Sequence, residues 1–139
     1  MNVFFDTSAV AKRYIQEKGS IKVEEIFMQA TSILVSILSL PELFSTLNRL
    51  KREKSIHLIH YTKIKGAIIK DFRNFSVCEI NPKIIATSIN LLEHHSLKAL
   101  DALQIASAIE LKADVFVSTD ERQITAANKT QLKTLNAGK

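Results

Sequence analysis

The chain has 139 residues, 46% apolar and 24% charged, with a net charge of +5 and a pI near 9.4. That length fits one domain with one sizeable core, and the balance is ordinary for a soluble globular protein. Three Gly and two Pro leave little room for long linkers, the single cysteine excludes an internal disulfide framework, and no apolar run reaches the ~18 residues of a membrane span.

Apolar periodicity switches repeatedly between strand-like and helix-like. Asn2 to Phe5 reads as a short strand, and Thr7 to Tyr14 as a helix capped by Thr7 or Ser8. Gly19-Ser20 punctuates the chain before an amphipathic helix from Ile21 to Ala30. Ser32 to Ile37 is a β-branched apolar run and predicts a strand. Pro41 fits the first turn of the next helix, whose basic end (Arg49, Lys51, Arg52, Lys54) complements the helix dipole. A helix over His57 to Phe72 follows, then a strand over Phe75 to Ile80. Asn81-Pro82 opens a helix to about His95, and another runs from about Ala99 to Lys112. Asp114 to Ser118 predicts a strand, Asp120 to Lys129 a helix, and Gln131 to Leu135 a last edge strand.

Short strands that alternate with helices, and that are apolar on both sides, belong in a parallel sheet covered on both faces. The expectation is a three-layer α/β/α sandwich with four or five parallel strands, formed by residues 1–139 as one domain. The opening Met-Asn-Val-Phe-Phe-Asp lacks the basic segment of a secretory leader, and Cys78 suits a buried thiol in a reducing compartment. Both features predict a cytoplasmic protein with no membrane association. The positive charge suits a polyanionic partner or a plain solvated surface.

Four acids carry the chemistry. A parallel strand ends at the carboxyl edge of the sheet, and the crossover helix begins there, so residues just after strands and at helix starts share one rim. Asp6 follows the first strand and Asp120 the Val115–Ser118 strand, while Glu42 and Asp101 begin helices. Any one of them alone reads first as a helix cap. Together, uncompensated carboxylates in one pocket repel, and a bound Mg²⁺ or Mn²⁺ removes the conflict. No Cys/His cluster competes for zinc. Thr7, Ser8 and Thr119 offer hydroxyls that can hold carboxylates or water, and Ala9 and Ala102 leave the rim open.

The segments Phe5-Asp6-Thr7-Ser8-Ala9, Pro41-Glu42-Leu43, Leu100-Asp101-Ala102-Leu103-Gln104-Ile105-Ala106 and Val117-Ser118-Thr119-Asp120 resemble the four acidic motifs of PIN-domain nucleases. The short form resembles the VapC-type toxins of toxin–antitoxin pairs. The resemblance implies a PIN-like fold and a Mg²⁺- or Mn²⁺-dependent endoribonuclease acting on RNA with one or two ions. It also implies a homodimer and a small VapB-like antitoxin. Asp6, Asp101 and Asp120 would be metal ligands, and Glu42 would complete the quartet directly or through water. The sequence departs from the pattern at Gln104, where many members carry His.

Lys12, Arg13 and Arg122 are candidate contacts to RNA phosphates, or plain surface charges. Leu58, Ile59, Ile64, Ile68 and Ile69 form either a groove for an antitoxin helix or ordinary core. The four histidines read as helix-end or surface residues. Two other functions compete. One is a different metal-dependent phosphate hydrolase, for instance with Asp6 as nucleophile; Ser8 stands where such enzymes commonly carry a second acid. The other is a catalytically inactive module that binds RNA or protein and uses its acids only as caps.

Overall fold

Strands apolar on both sides are stable only between two layers of helices. The computed structural model, which describes residues 1–139, has that arrangement. Strands β1 (Asn2–Phe5), β2 (Ser32–Ser36), β3 (Ser76–Cys78), β4 (Val115–Ser118) and β5 (Lys133–Asn136) form one parallel sheet in the order β3-β2-β1-β4-β5. The expected parallel sheet thus has five strands. Seven α-helices connect them: α1 (Thr7–Val10), α2 (Ser20–Gln29), α3 (Ser39–Arg52), α4 (Leu58–Asn74), α5 (Pro82–His94), α6 (Ala99–Glu110) and α7 (Glu121–Asn128). None of them is long and apolar enough to cross a membrane.

The period-two alternation of each strand sorts its side chains into two cores. Phe4, Leu34, Cys78 and Phe116 point into the layer of α5, α6 and α7, where Ile84, Leu91, Ile105 and Ala126 meet them. Val3, Phe5, Val35, Val115 and Val117 point into the opposite layer, against Val10, Val23, Leu43, Leu47 and Ile68 of α1 to α4. Phe4 and Phe116 are register partners on β1 and β4, and their rings stack at 5.7 Å. Cys78 is buried and free.

Several boundaries differ from the sequence reading, β5 among them, which spans Lys133–Asn136 rather than Gln131 to Leu135. The first helix stops at Val10 and tightens into a 3₁₀ turn, Ala11–Arg13. Its cap is Asp6, whose side chain accepts from the Ala9 N–H, rather than Thr7 or Ser8. β3 is only three residues long, because as an edge strand it pairs with β2 alone, over Ser76 to Cys78.

The chain returns across β4 to close the fold. The Ala137 N–H donates to the Ser118 carbonyl at 2.9 Å, and Ala137 is buried. Gly19 lies against it with φ +95°, and a Cβ there would collide with the Ala137 carbonyl oxygen. Glycine satisfies both demands at once: a left-handed backbone and no side chain.

Candidate active site

The strand order reverses beside β1, since β2 and β3 lie on one side and β4 and β5 on the other. Open α/β sheets form their crevice at such a point, outside the carboxyl ends of the strands. β1 and β4 end there together, with Phe5 paired to Val117. Asp6 comes next. Its N–H still bonds the Val117 carbonyl at 3.0 Å, while its carboxylate turns to open α1.

Asp6 is 3% exposed. Its Oδ1 accepts from Ser8 Oγ at 2.7 Å and from the Ala9 N–H at 2.9 Å, and its Oδ2 accepts from Ser118 Oγ at 2.7 Å. Such donors favour the ionised form, yet burial outweighs them, and with a smaller push from Asp101 it raises the carboxyl from 3.8 to about 6. Asp6 therefore holds its proton far better than an ordinary carboxyl.

The other three acids line one pocket of about 380 Å³, with Thr7, Ser8, Ser45, Thr46, Gln104 and Gln123 around them. Burial raises the Asp101 carboxyl, and the neighbouring Asp120 and Glu42 raise it further, against the opposing pull of Lys98. Asp120 caps α7, its Oδ1 accepting from the Arg122 and Gln123 N–H groups at 2.9 and 3.3 Å. Glu42 enters from the first turn of α3, and its Oε1 accepts from Thr7 Oγ1 at 2.9 Å and Gln104 Nε2 at 3.2 Å. Asp6 itself lies behind the pocket wall, joined to it through Ser8 and through Ser118 and Gln123.

This donor set fits a hard divalent cation. Its polar groups are carboxylates, hydroxyls and amides, no His or Cys lines the pocket, and Asp101 in it and Asp6 behind it are both held above the usual carboxylate range. In the conformation observed, however, no three His, Cys, Asp or Glu side chains converge on one ion. The oxygens of Asp6 and one oxygen each of Glu42 and Asp120 are engaged by protein donors instead.

Several residues gain roles that the sequence did not reveal. Ser118 Oγ also lies 3.1 Å from Gln123 Oε1 and accepts from the Asp120 N–H at 3.0 Å. Gln123, buried in α7, donates from Nε2 to the Asp101 carbonyl at 3.2 Å. Gln104 Nε2 reaches Thr7 Oγ1, Ser39 Oγ and Glu42 Oε1 at 3.0, 3.3 and 3.2 Å, while its Oε1 is buried without a partner. The orientation is chosen by charge, since the carboxylate of Glu42 accepts only and must face the NH₂. The one available signal was composition: Ser, Thr or Gln lies within three residues of each acid.

Some expectations need correction. Thr119 contributes its backbone N–H, which donates to Ser8 Oγ at 3.2 Å, rather than its hydroxyl. Ala9 and Ala102 are fully buried core residues and do not shape the rim. Lys12 is turned inward, its ammonium on the Lys18 carbonyl and on Glu17 at 3.3 Å. Arg13 is committed to Asp71 (2.9 Å) and Glu24 (3.0 Å) and lies over the Phe27 ring. Neither is poised for RNA, whereas Arg122 is exposed, outside every ion pair, and lines a recess beside Asp101 and Asp120. The apolar set on α4 also divides, with Ile64 and Ile68 packed in the core and Leu58, Ile59 and Ile69 exposed.

Comparison with known proteins adds the family. The profile of a family described as PIN domain matches residues 3–129. No curated protein matches the sequence. Among solved structures, FitAcB from Neisseria gonorrhoeae superposes with a TM-score of 0.75 at 12% identity, covering 97% of each chain. A toxin–antitoxin complex from Klebsiella pneumoniae gives 0.69 at 14%, again covering 97% of each chain. VapC20 of Mycobacterium tuberculosis, described as a Sarcin-Ricin loop cleaving toxin, gives 0.67 at 16%, covering 89% of this chain and 94% of its own. At these identities the likeness is one of fold.

Proposed function

The chain belongs to the PIN domain family, and from that footing we propose that it is a Mg²⁺- or Mn²⁺-dependent endoribonuclease, the toxin of a toxin–antitoxin pair. The carrying observation is the pocket itself: Glu42, Asp101 and Asp120 share one wall above the buried Asp6, and Asp6 and Asp101 are both held above the usual carboxylate range. Like charges gathered from four distant segments favour a cationic ligand. RNA as substrate and toxin action are carried over from the kind of protein whose fold this is, a cleaving toxin among them. The net charge of +5, with four of the fourteen acids drawn into the site, leaves a basic exterior suited to a polyanion.

Asp6, Asp101 and Asp120 would hold the cation, with Glu42 beside them. When bound, it would supply a Lewis acid that offsets phosphate charge and makes water acidic enough to attack near neutral pH. The protein sets the stage for that reaction. Ser8 and Ser118 fix Asp6, and Thr7 and Gln104 fix Glu42 through Oε1, which leaves Glu42 Oε2 free to orient water. Attack of water on phosphorus with loss of the 3′-oxygen yields a 5′-phosphate and a 3′-hydroxyl.

Two surfaces support partners. Ile85, Ile89 and Leu92 are exposed at helical spacing along α5 and suit a second copy of this chain. A recess between the 3₁₀ turn and α4, lined by Tyr14, Ile15, Leu50, Ile56 and Ile64, suits an apolar segment of a small antitoxin. The protein acts in the cytoplasm, as one PIN-like domain over residues 1–139.

One observation favours the inactive-module reading, since Asp6 and Asp120 do cap helices and no three acids converge on one ion. Asp6 as a phosphatase nucleophile fits less well, because both its oxygens are buried and engaged. Incubating RNA with the protein in Mn²⁺, with and without EDTA, separates the readings. Cleavage that chelation stops is the expected result; no cleavage of any RNA supports the module, and cleavage in EDTA rejects the metal mechanism.

A further inference from the structure

The acidic pocket does not end at its own wall. Asp101 and Asp120 also line a recess of about 220 Å³ that continues over Ser96, Leu97, Lys98 and Arg122. Ser96 and Arg122 in turn line a groove of about 350 Å³, bounded by His94, His95, Thr125 and Lys129. The three spaces form one path from the carboxylates, across the start of α7, to the end of α5.

The charge changes sign along that path. Lys98, Arg122 and Lys129 are exposed, and none takes part in an ion pair. His94 Nδ1 lies 2.8 Å from the Asn90 carbonyl and so carries the hydrogen, leaving Nε2 for a ligand. The groove contains a single acid, Glu121, which is already engaged by Lys139 at 3.1 Å and Asn136 Nδ2 at 3.2 Å. No Phe or Tyr lines either space. Such a surface suits a phosphate backbone rather than stacked bases.

Resting on the nuclease reading, we infer that this groove is the track of the RNA strand leaving the scissile bond. Lys98 and Arg122 hold the phosphate next to the acids, and His94 and Lys129 hold the one beyond. A strand with one phosphodiester at the carboxylates must pass out of the pocket, and this exit turns basic, as a polyanion requires. An acidic segment of a protein partner would meet the same cations but would have no cause to reach the carboxylates.

The test uses the full chain made silent by Asp6→Asn and a labelled single-stranded RNA of about 12 nucleotides. Affinity is measured between about 50 and 200 mM KCl. Replacing Arg122 and Lys129 by Gln should weaken binding at least tenfold and flatten the slope of log K against log salt by about 1.4, two contacts at about 0.7 each. Replacing Lys65 and Lys70 on α4, an equal change of charge on another exposed surface, should leave the slope unaltered. Equal losses from both pairs, or no loss from the groove pair, overturn the track. If the unmodified protein still cleaves RNA in Mn²⁺ in that case, the nuclease reading survives alone. A protein that neither binds nor cleaves RNA rejects both.

Discussion

Ser118 Oγ lies 2.7 Å from Asp6 Oδ2, across 112 residues of chain, and it serves either charge state of that acid. With Asp6 ionised, the hydroxyl donates to Oδ2. With Asp6 protonated, Oδ2–H can donate to Ser118, whose own hydrogen turns to Gln123 Oε1 at 3.1 Å. The Asp120 N–H at 3.0 Å is accepted in both states. Ser118→Ala removes a donor that favours the carboxylate, so the Asp6 carboxyl should rise above about 6. The acid limb of the pH–rate profile should move to higher pH, which a cleavage series from pH 5 to 8 would show.

Asp6 also links stability to pH. Its folded value of about 6 lies above the ordinary 3.8, so the folded chain keeps a proton that the unfolded chain has lost. The stabilisation is full below pH 4 and is lost as pH rises through 6. The difference corresponds to roughly 3 kcal/mol. Urea unfolding without divalent ions should show this decline, and Asp6→Asn should flatten it.

Two substitutions of Asp6 separate its chemistry from its capping role. Asn retains an oxygen for the Ala9 N–H and lets Ser118 turn to Gln123, so melting without metal should be unchanged or higher while cleavage is abolished. Ala leaves the Ala9 N–H of α1 unsatisfied and should cost about 1–2 kcal/mol. Thermal melts of the pair, beside a cleavage assay, check both effects. Full cleavage by the Asn variant, with a fall in melting temperature confined to the Ala variant, would make capping the main role.

Gln104 Nε2 donates to Glu42 Oε1 at 3.2 Å, and its expected part is to position that carboxylate. Gln104→Leu removes the donor to Oε1 and also the unpartnered Oε1 of the amide. A hydrogen bond to a charged group contributes about 1.5–3 kcal/mol, so kcat should fall roughly 10- to 100-fold with little change in KM. Gln104→His, which can restore one donor, should recover part of the rate. Steady-state kinetics of the two variants distinguish positioning from loss of fold.

Gly19→Ala should be among the most costly single changes. It combines a left-handed backbone, about 1–2 kcal/mol, with a collision at the Ala137 carbonyl of about 1–3 kcal/mol. Denaturant melts should show a loss of roughly 2–5 kcal/mol.

The acids were legible in the sequence because strand ends and helix starts in a parallel sheet share one edge, and Asp6, Glu42, Asp101 and Asp120 all occupy such places. The web that orients them was not. Ser118 reads as an ordinary strand residue until β4 is known to lie beside β1, and Gln123 as an ordinary helix residue until α7 covers Asp101. Lys12 and Arg13 resemble surface charges because their partners lie elsewhere; Asp71, which holds Arg13, is 58 residues away on α4. The basic groove is likewise assembled from two segments, the end of α5 and the length of α7 from Glu121 to its C-cap Lys129, that show no common pattern in the chain.

The central claim is that these carboxylates coexist by sharing a divalent cation. Calorimetric titration with Mn²⁺ near pH 6.5, in two buffers of different ionisation heat, tests it most directly. Saturable binding that releases protons, and that disappears in a folded Asp101→Asn variant, is the predicted result. Uptake that is absent in the unmodified protein, or undiminished by Asp101→Asn, would contradict it.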